Sequence, residues 1–267
     1  MFVKIFFFCF LLLTQALSNE RIITLSPALN EIVFALGKGD LIIANTDHAH
    51  YPKASITKPK VGGYFGVSLE KVLSFQPTLV LLQKNNTPLA TKLKRYHIQT
   101  LTFSISSLQS IKEMILTIGK RLDTLKNAQD IVTRIDHEIA LLKHPIRHQT
   151  ILFIFGASGD LKRPMYCAGK DLYFDELIHI AGYQNAINFP KTQPIGLEKL
   201  LSINPDIIII ADSSIKEEQK ASVLQKWQHL PLKAVRQNHV YILNKIYQTM
   251  PSDRIVLFIH DLAQVLP

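Results

Sequence analysis

Two histidines and one tyrosine are the residues of this 267-residue chain whose chemistry first points to a site. His48 and His50 lie one residue apart in a segment rich in His, Tyr and Pro, and imidazole is a common ligand of transition metals. Tyr64 lies in a glycine-rich segment, and a phenolate can bind ferric iron. Solvated loop histidines and an aromatic packing wall are the simpler interpretations, because no third ligand has a telling spacing. The spacing leaves metal binding open.

Other candidate binding residues are aromatic side chains and one arginine that follow expected strands. In open parallel sheets, ligands bind beyond the carboxyl ends of the strands, where loops leave the sheet. Aromatic rings with a few polar groups suit a bulky ligand that is partly apolar and partly charged. Arg254 can pair with a carboxylate, phosphate or amide of such a ligand. The predicted ligand-binding residues are Tyr51, Tyr64, Phe65, Tyr166, Tyr247 and Arg254.

The sequence contains no motif of a common enzyme class. It lacks a nucleophile elbow, an HExxH pair and a phosphate-binding loop, and the glycine-containing segment 156–159 has the wrong spacing for one. This favours a binding protein over an enzyme. One alternative is an exported α/β hydrolase that uses Asp160 or Asp212, and another is a protein that binds free metal through His48 and His50.

The first residues have the pattern of a secretory signal peptide. Lys4 precedes a short apolar run, and Ala16-Leu17-Ser18 is a small-x-small cleavage signal, so we expect residues 1–18 to be removed on export. An uncleaved anchor is the alternative. Cys167 would then be the sole cysteine, which precludes an intrachain disulfide. The formal charge of +9 favours an anionic ligand or surface, but no basic cluster interleaved with aromatics indicates nucleic acid.

Short apolar strands alternate with helices along the chain, which predicts α/β lobes with parallel sheets. Two blocks recur in the same order. The segment LEKVLSFQPTLVLL at 69–82 reappears as LEKLLSINPDIIII at 197–210, and NEIVFALG at 30–37 resembles DELIHIAG at 175–182. This internal repeat predicts two lobes of similar plan.

The stretch from Ser107 to Lys143 separates the two copies of the repeat. Its apolar residues are spaced alternately three and four apart, which is the period of one helix face, and Pro145 ends the pattern. We therefore predict a single helix of about 50 Å. Half of a coiled coil is the alternative interpretation. The expected organisation is an N-terminal α/β lobe at 19–106, an interlobe helix at 107–144 and a C-terminal α/β lobe at 145–267.

Five segments of the chain resemble the periplasmic substrate-binding proteins of ABC importers for metal chelates, which carry cobalamin, haem and ferric siderophores. The segments are RIITLSPALNEIVFALG at 21–37, YPKA at 51–54, VGGYFGVSLEKVLSFQPTLVLL at 61–82, AGKDLYFDELIHIAGYQNAI at 168–187 and PSDRIVLFIHDLAQVL at 251–266. The resemblance implies two Rossmann-like lobes bridged by a long helix. The first and third segments look most like the cobalamin-binding branch, in which aromatics at the positions of Tyr51 and Tyr64 line the pocket. A haem or ferric-siderophore ligand stays open, because Tyr64 stands where that branch often has tryptophan.

The resemblance also implies the partners of the protein. Glu70 and Glu198 occupy the same position in the two copies of the repeat, and in this family one acidic residue per lobe docks onto a dimeric permease. A helix N-terminus also favours an acidic residue for electrostatic reasons alone. We thus expect a periplasmic, monomeric receptor without a covalent cofactor, which binds a metal chelate and delivers it to an inner-membrane ABC permease.

Overall fold

The computed structural model describes residues 20–63, 66–156, 161 and 163–267, and the predicted signal peptide lies outside these ranges. Within them, the chain forms two sheets with helices packed on both faces, which confirms the α/β class. None of the helices in these ranges combines the length and the hydrophobicity that crossing a bilayer requires.

The first sheet is parallel and has the strand order β2-β1-β3-β4 among the described residues. Ser26 caps the first helix, because its side chain accepts a hydrogen bond from the backbone N–H of Leu29 (3.3 Å), and Pro27 follows at the first helical position. The helices lie between successive strands in the chain, so the carboxyl ends of the strands meet at one edge. The elements are β1 (Ile22–Thr24), α1 (Pro27–Ala35), β2 (Ile42–Ala44), α2 (Leu69–Ser74), β3 (Leu79–Gln83), α3 (Thr87–Lys94) and β4 (Gln99–Phe103).

The second sheet is mixed rather than parallel as predicted, with the order β10-β9-β5-β6-β8 and β7 beside β5 in the described part of the chain. Strands β7, β9 and β10 follow the parallel prediction, but β6 runs antiparallel to β5, and β8 runs antiparallel to β6. The short connection from β5 to β6 has no room for the crossover that a parallel pair requires. The strands are β5 (Thr150–Phe155), β6 (Met165–Ala168), β7 (Gln184–Asn185), β8 (Thr192–Ile195), β9 (Ile207–Ala211) and β10 (Val240–Leu243).

The internal repeat appears as matching units of the two sheets. Strand β3 follows α2 and pairs with β1. In the second copy, β9 follows the helix Leu197–Ile203, which corresponds to α2, and pairs with β5. The first helices of the two copies are each followed by a glycine with positive φ, Gly37 at 77° and Gly182 at 84°, a conformation in which helices commonly end. The helices of the second lobe are α6 (Tyr173–Ile180), α7 (Leu197–Ile203), α8 (Lys220–Trp227), α9 (Lys233–Arg236) and α10 (Ile255–Val265).

The prediction of one helix over 107–144 is wrong. The segment forms two helices, α4 (Leu108–Arg121) and α5 (Leu125–Leu142), and the ion pair of 2.8 Å between Lys112 and Asp136 shows that they fold back on each other. Asp123 lies between them with a φ of 55°, and the N–H of Thr124 donates to the carbonyl of Gly119 (2.8 Å), which ends α4 in a Schellman turn.

The largest buried cluster spans both sheets and contains residues of α1, α4, α5, α6 and α10. Representative members are Ile22 of β1, Ile111 of α4, Ile135 of α5, Phe153 of β5 and Phe258 of α10, each essentially inaccessible to solvent. The outer face of each sheet has a separate buried cluster. The two lobes are therefore joined by continuous apolar packing through the helices between them.

Candidate functional site

An open cleft of about 580 Å³ lies between the two lobes. Its first wall consists of residues at or just beyond the carboxyl ends of the strands of the first sheet, as expected for an open parallel sheet. These residues are Pro27 and Ala28 after β1, His48 after β2, Gln83 at the end of β3 and Ile105 after β4. A second cavity, of about 640 Å³, is lined by residues of the second lobe such as Lys170, His179 and Tyr183, so it does not lie between the lobes.

The opposite wall is built by the second lobe and is rich in aromatic and apolar groups. Phe155 and Phe174 form an edge-to-face pair with ring centroids 5.0 Å apart, and the ring centroid of Tyr173 lies 4.0 Å from that of Phe174. Phe153 and Phe258 pack behind Phe174, with ring centroids 4.7 and 5.7 Å from its own, so this aromatic wall rests on the shared core. The wall is formed by Phe155, Tyr173, Phe174, Thr192, Thr249, Met250 and Pro251.

Tyr173 is a phenol rather than a phenolate in this wall. Its side chain is buried, and burial raises the pKa of its hydroxyl well above the ordinary value of 10.0. A phenolate ligand for ferric iron needs the ionised form, which this environment disfavours. Tyr173 therefore supplies ring surface to the cleft.

Buried amide side chains hold the segment that carries His48 and Tyr51. Asn30, on α1 and inaccessible to solvent, donates hydrogen bonds to the carbonyl of Tyr51 (3.0 Å) and to the hydroxyl of Ser55 (2.6 Å). Asn45 donates to the side-chain oxygen of Asn30 (3.0 Å). Because these polar groups satisfy one another away from water, they give the segment a defined conformation.

Arg254 and Glu31 form an ion pair between the lobes. The Nε of Arg254 donates to one carboxylate oxygen of Glu31 (3.0 Å), the terminal nitrogen of Arg254 donates to the other (2.5 Å), and the hydroxyl of Ser252 donates to the same carboxylate (2.6 Å). The guanidinium lies 3.8 Å from the ring centroid of Tyr51 and 5.8 Å from that of Tyr247. The positive charge that we assigned to ligand binding is thus already paired within the protein.

The hydroxyl of Tyr247 donates to the carboxylate of Asp261 (2.8 Å). Burial, together with that hydrogen bond and the negative charge of Asp261, raises the pKa of Tyr247 to about 12, and Arg254 opposes the shift. Tyr247 therefore stays protonated and can offer a ring face beside the cleft but no phenolate.

The predicted site residues do not all converge on the cleft. His48 lines it, and Tyr51 and Tyr247 reach the adjacent Arg254. Tyr166 lies on β6 with 55% of its surface exposed and is outside the described lining of the cleft. Tyr64 and Phe65 lie outside the described residues.

The two histidines form a T-shaped pair with ring centroids 6.4 Å apart, and both are exposed. Among the residues that the structure describes, no group of three or more His, Cys, Asp and Glu side chains is arranged to hold a metal ion. Cys167 is buried, and burial raises the pKa of its thiol to about 12, so it does not offer a thiolate. The described side chains therefore do not form a complete metal site on their own.

Phe155, Tyr173 and Phe174 of the aromatic wall were not predicted as site residues. Tyr173 and Phe174 entered only as part of the segment 168–187, which contributed to the family resemblance. With 30–37 aligned to 175–182, Tyr173 and Phe174 correspond to Ala28 and Leu29. A pair of aromatics in the first turn of this helix is the signal that aligning the two copies would have provided.

Glu70 and Glu198 occupy equivalent places in the two lobes. Each lies in the first turn of a short helix, α2 and α7, and each is exposed. The side chain of Ser68 caps α2 by accepting from the N–H of Lys71 (3.2 Å), whereas Gly196 precedes α7 without a side-chain cap. Both carboxylates are therefore accessible to a partner protein, one from each lobe.

Two lobes that face each other across a cleft define a two-lobed α/β binding protein. The model of the periplasmic binding protein family matches residues 22–247, and the chain belongs to this family. It is therefore a ligand-binding protein and not an enzyme, and the alternative of a hydrolase is set aside. Asp212 has a structural role, because its side-chain oxygen accepts hydrogen bonds from the N–H (2.9 Å) and the hydroxyl (2.6 Å) of Ser214. Asp160 lies outside the described residues.

Relatives of the chain include vitamin B12-binding proteins. The vitamin B12-binding protein of Vibrio parahaemolyticus is 23% identical over 249 residues, which cover 88% of this chain and 85% of the relative. An ABC transporter substrate-binding lipoprotein of Bacillus subtilis, YvrC, is 25% identical, and the alignment covers 92% of this chain and 79% of the relative. These similarities agree with the predicted class of transport protein.

Solved structures of the same fold bind different ligands. The vitamin B12-binding protein BtuF of Vibrio cholerae superposes with a TM-score of 0.78 at 20% identity, covering 92% of this chain and 96% of the other. The haem-binding protein HutB of Vibrio cholerae superposes with a TM-score of 0.76 at 19% identity, covering 92% of this chain and 98% of the other. The fold is thus established, while these two neighbours differ in what they carry.

Proposed function

We propose that this protein captures a metal chelate, cobalamin in the first place, in the cleft between its lobes. The observation that carries the proposal is a cleft with an aromatic wall and a few polar groups, none of which is an acid, a lysine or an arginine in the described lining. The polar side chains of that lining are His48, Gln83, Thr192 and Thr249, together with the phenol of Tyr173. Such a surface suits a large ring with uncharged amides at its edge, as in a corrinoid.

Haem is the second candidate, and one observation favours it: His48 is a nitrogen donor in the lining of the cleft, and imidazole is a common ligand of haem iron. A ferric siderophore is a further candidate of the same family, and Tyr64 would serve as a phenolate ligand only in the haem case.

We further propose that the protein is exported by its signal peptide to the periplasm, acts as a monomer and delivers the chelate to an inner-membrane ABC permease dimer. Glu70 and Glu198 would contact the permease, one from each lobe. Their equivalent, exposed positions in the repeat support this role. A pseudo-symmetric pair of acidic contacts matches the two-fold symmetry of such a partner.

A binding screen tests the proposed ligand. Purified protein is titrated with cyanocobalamin, haemin and a ferric siderophore, and binding is followed by calorimetry and visible absorbance. We expect saturable 1:1 binding of cyanocobalamin with a micromolar or lower dissociation constant, on the order of −8 kcal/mol or better. A Soret shift with haemin alone would favour the second candidate, and no binding of any chelate would contradict the proposal.

A further inference from the structure

Residues 45–61, which we name the cleft loop, carry His48 and Tyr51 to the site. Backbone hydrogen bonds close the loop at its ends: the N–H of Asn45 donates to the carbonyl of Pro59 (2.9 Å), and the N–H of Val61 donates to the carbonyl of Asn45 (3.0 Å). Short backbone turns order parts of the loop, as where the N–H of Ala49 donates to the carbonyl of Thr46 (3.0 Å) and that of Ser55 to the carbonyl of Pro52 (2.8 Å), but side chains must fix these turns relative to one another. The interior of the loop therefore decides where its binding residues lie.

The ammonium of Lys60 occupies the interior of the cleft loop. Its Nζ lies 2.6 Å from the side-chain oxygen of Asn45, 3.0 Å from the carbonyl of Ser55 and 3.4 Å from the carbonyl of Ala49. An ammonium has three donors and no acceptor, so three oxygens from separate parts of the loop match its hydrogen-bonding capacity. Ala49, which is buried, lies between the two histidines.

Ser55 and Asn45 connect Lys60 to Tyr51. Ser55 is buried, and its hydroxyl donates to the carbonyl of Tyr51 (2.9 Å), which also accepts from the side chain of Asn30 (3.0 Å). Asn45 links the same groups, because its amide donates to the carbonyl of Ser55 (3.0 Å). One cation thus connects the neck of the loop, the histidine segment and the tyrosine.

Partial burial makes the charged form of Lys60 less favourable than it would be in water. Burial lowers its pKa from the ordinary value of 10.5, and the negative charge of Asp47 only partly opposes this shift. A partly buried charge of this kind contributes little to global stability, whereas it can select one arrangement of the groups around it.

We propose that Lys60 is a positioning residue: its ammonium holds the cleft loop in the conformation that presents His48 and Tyr51 to the ligand. The inference rests on the proposed function of the cleft. Lys60 does not belong to the described lining of the cleft, so it acts on the ligand through the loop.

The first test compares Lys60→Met with Lys53→Met, a matched control on the exposed side of the same loop. Methionine keeps most of the length of the side chain but removes the ammonium and its three donors. We expect Lys60→Met to weaken binding of cyanocobalamin or haemin at least about tenfold, with the thermal midpoint of unfolding unchanged, and Lys53→Met to bind as the wild type does. Wild-type affinity in Lys60→Met would overturn the proposal, as would a loss of affinity matched by a large fall in the midpoint.

The second test needs no ligand and so separates this inference from the proposed function. Hydrogen–deuterium exchange of the ligand-free protein should be faster in the cleft loop of Lys60→Met and unchanged in β9. Unchanged exchange in the loop would overturn the inference even if the wild type binds a chelate. If the wild type binds neither chelate, the proposed function fails while this measurement still decides whether Lys60 orders the loop.

Chemical rescue provides the final control. Lys60→Cys is treated with 2-bromoethylamine, which converts the thiol to a thioether analogue of lysine and releases bromide. Cys167 reacts slowly because it is buried and its thiol pKa is raised, and wild type treated in the same way reports any effect at other cysteines. We expect modification to restore the affinity that Lys60→Cys loses, and a failure to restore it in fully modified protein would count against the ammonium.

Discussion

Arg254, which precedes the last helix, forms a bidentate ion pair with Glu31 of the first helix, so one buried charge pair joins the two lobes beside the cleft. The side chains are 11% and 3% exposed. The guanidinium also packs on the ring of Tyr51. The same arginine therefore links the second lobe to the first and supports a residue of the cleft loop.

Breaking this pair from one side should be costly. We expect Arg254→Met to lower the free energy of unfolding by about 3 to 5 kcal/mol, because the carboxylate of Glu31 would stay buried without its charged partner. The double variant with Glu31→Gln should lose less than the sum of the single losses. Urea unfolding measures the cycle. Lys126→Met is the control, since its pair with Asp130 is exposed and should contribute less than about 0.5 kcal/mol.

Asp253 should make stability depend on pH. Burial first and the charge of Glu31 second raise the pKa of its carboxyl from 3.8 to about 6, although Arg254 and Arg134 oppose the shift. The folded protein then binds this proton more tightly than the unfolded chain, so the associated stability is present below pH 3.8 and is lost as the pH rises through 6. The effect is roughly 2 to 3 kcal/mol.

Asp253→Asn removes the titrating group and should flatten that dependence. Relative to the wild type, the variant should gain stability at pH 7.5 and lose this advantage near pH 4. Urea unfolding at several pH values between these limits measures the difference. A constant difference between the two proteins over the whole range would show that Asp253 does not titrate in this window.

The sequence predicted the strands and the repeat because both depend on local pattern. Short apolar runs predicted the alternation of strands and helices, and β3 and β9 lie at matching places in the repeated blocks 69–82 and 197–210. The helix hairpin was missed for a physical reason. The spacing of three and four continues across the turn, because Ile118, Leu122 and Ala128 are buried in one core while Leu125, which completes the pattern, is 43% exposed. The left-handed residue of the turn is Asp123 instead of glycine.

The site was only partly predictable. The rule that ligands bind beyond strand ends located one wall, including His48, because it depends only on the order of the elements. The pairing of Arg254 with Glu31 could not be predicted, since 223 residues separate them in sequence and no local pattern encodes their contact. For the same reason the buried oxygens around Lys60 become visible only in three dimensions.

Gly119 permits the close crossing of α4 and α5. A Cβ at this position would lie 2.4 Å from the Cβ of Ala128, a methyl group that cannot rotate away. We expect Gly119→Ala to destabilise the protein by about 1 to 3 kcal/mol, although alanine favours a helix by about 1 kcal/mol over glycine. Adding Ala128→Gly should restore part of the loss, and thermal or urea unfolding reports both. A Gly119→Ala variant more stable than the wild type would contradict the close approach of α4 and α5 at this position.

His48 should matter more to the ligand than His50. His48 lines the cleft and His50 lies outside its described lining, although their rings are only 6.4 Å apart. We expect His48→Ala to weaken chelate binding about tenfold, or 1.4 kcal/mol, and His50→Ala to have a smaller effect. Calorimetry measures the affinities. A change in the visible spectrum of bound haemin in His48→Ala alone would indicate that its imidazole coordinates the iron, whereas equal losses in both variants would argue against this geometry.

Glu70 and Glu198 should be needed for delivery but not for capture. Both are exposed in the first turn of a helix, at equivalent positions of the two lobes, and neither belongs to the described lining of the cleft. We expect Glu70→Gln and Glu198→Gln each to reduce permease-dependent uptake of the chelate, and the double variant to abolish it, because each lobe would lose its charged contact with one half of the permease. Chelate affinity and the midpoint of unfolding should not change. Glu218→Gln, at another exposed acidic position of the second lobe, is the matched control. Normal uptake with the double variant would exclude these glutamates as the docking contacts, while a parallel loss of chelate affinity would assign them to the binding site instead.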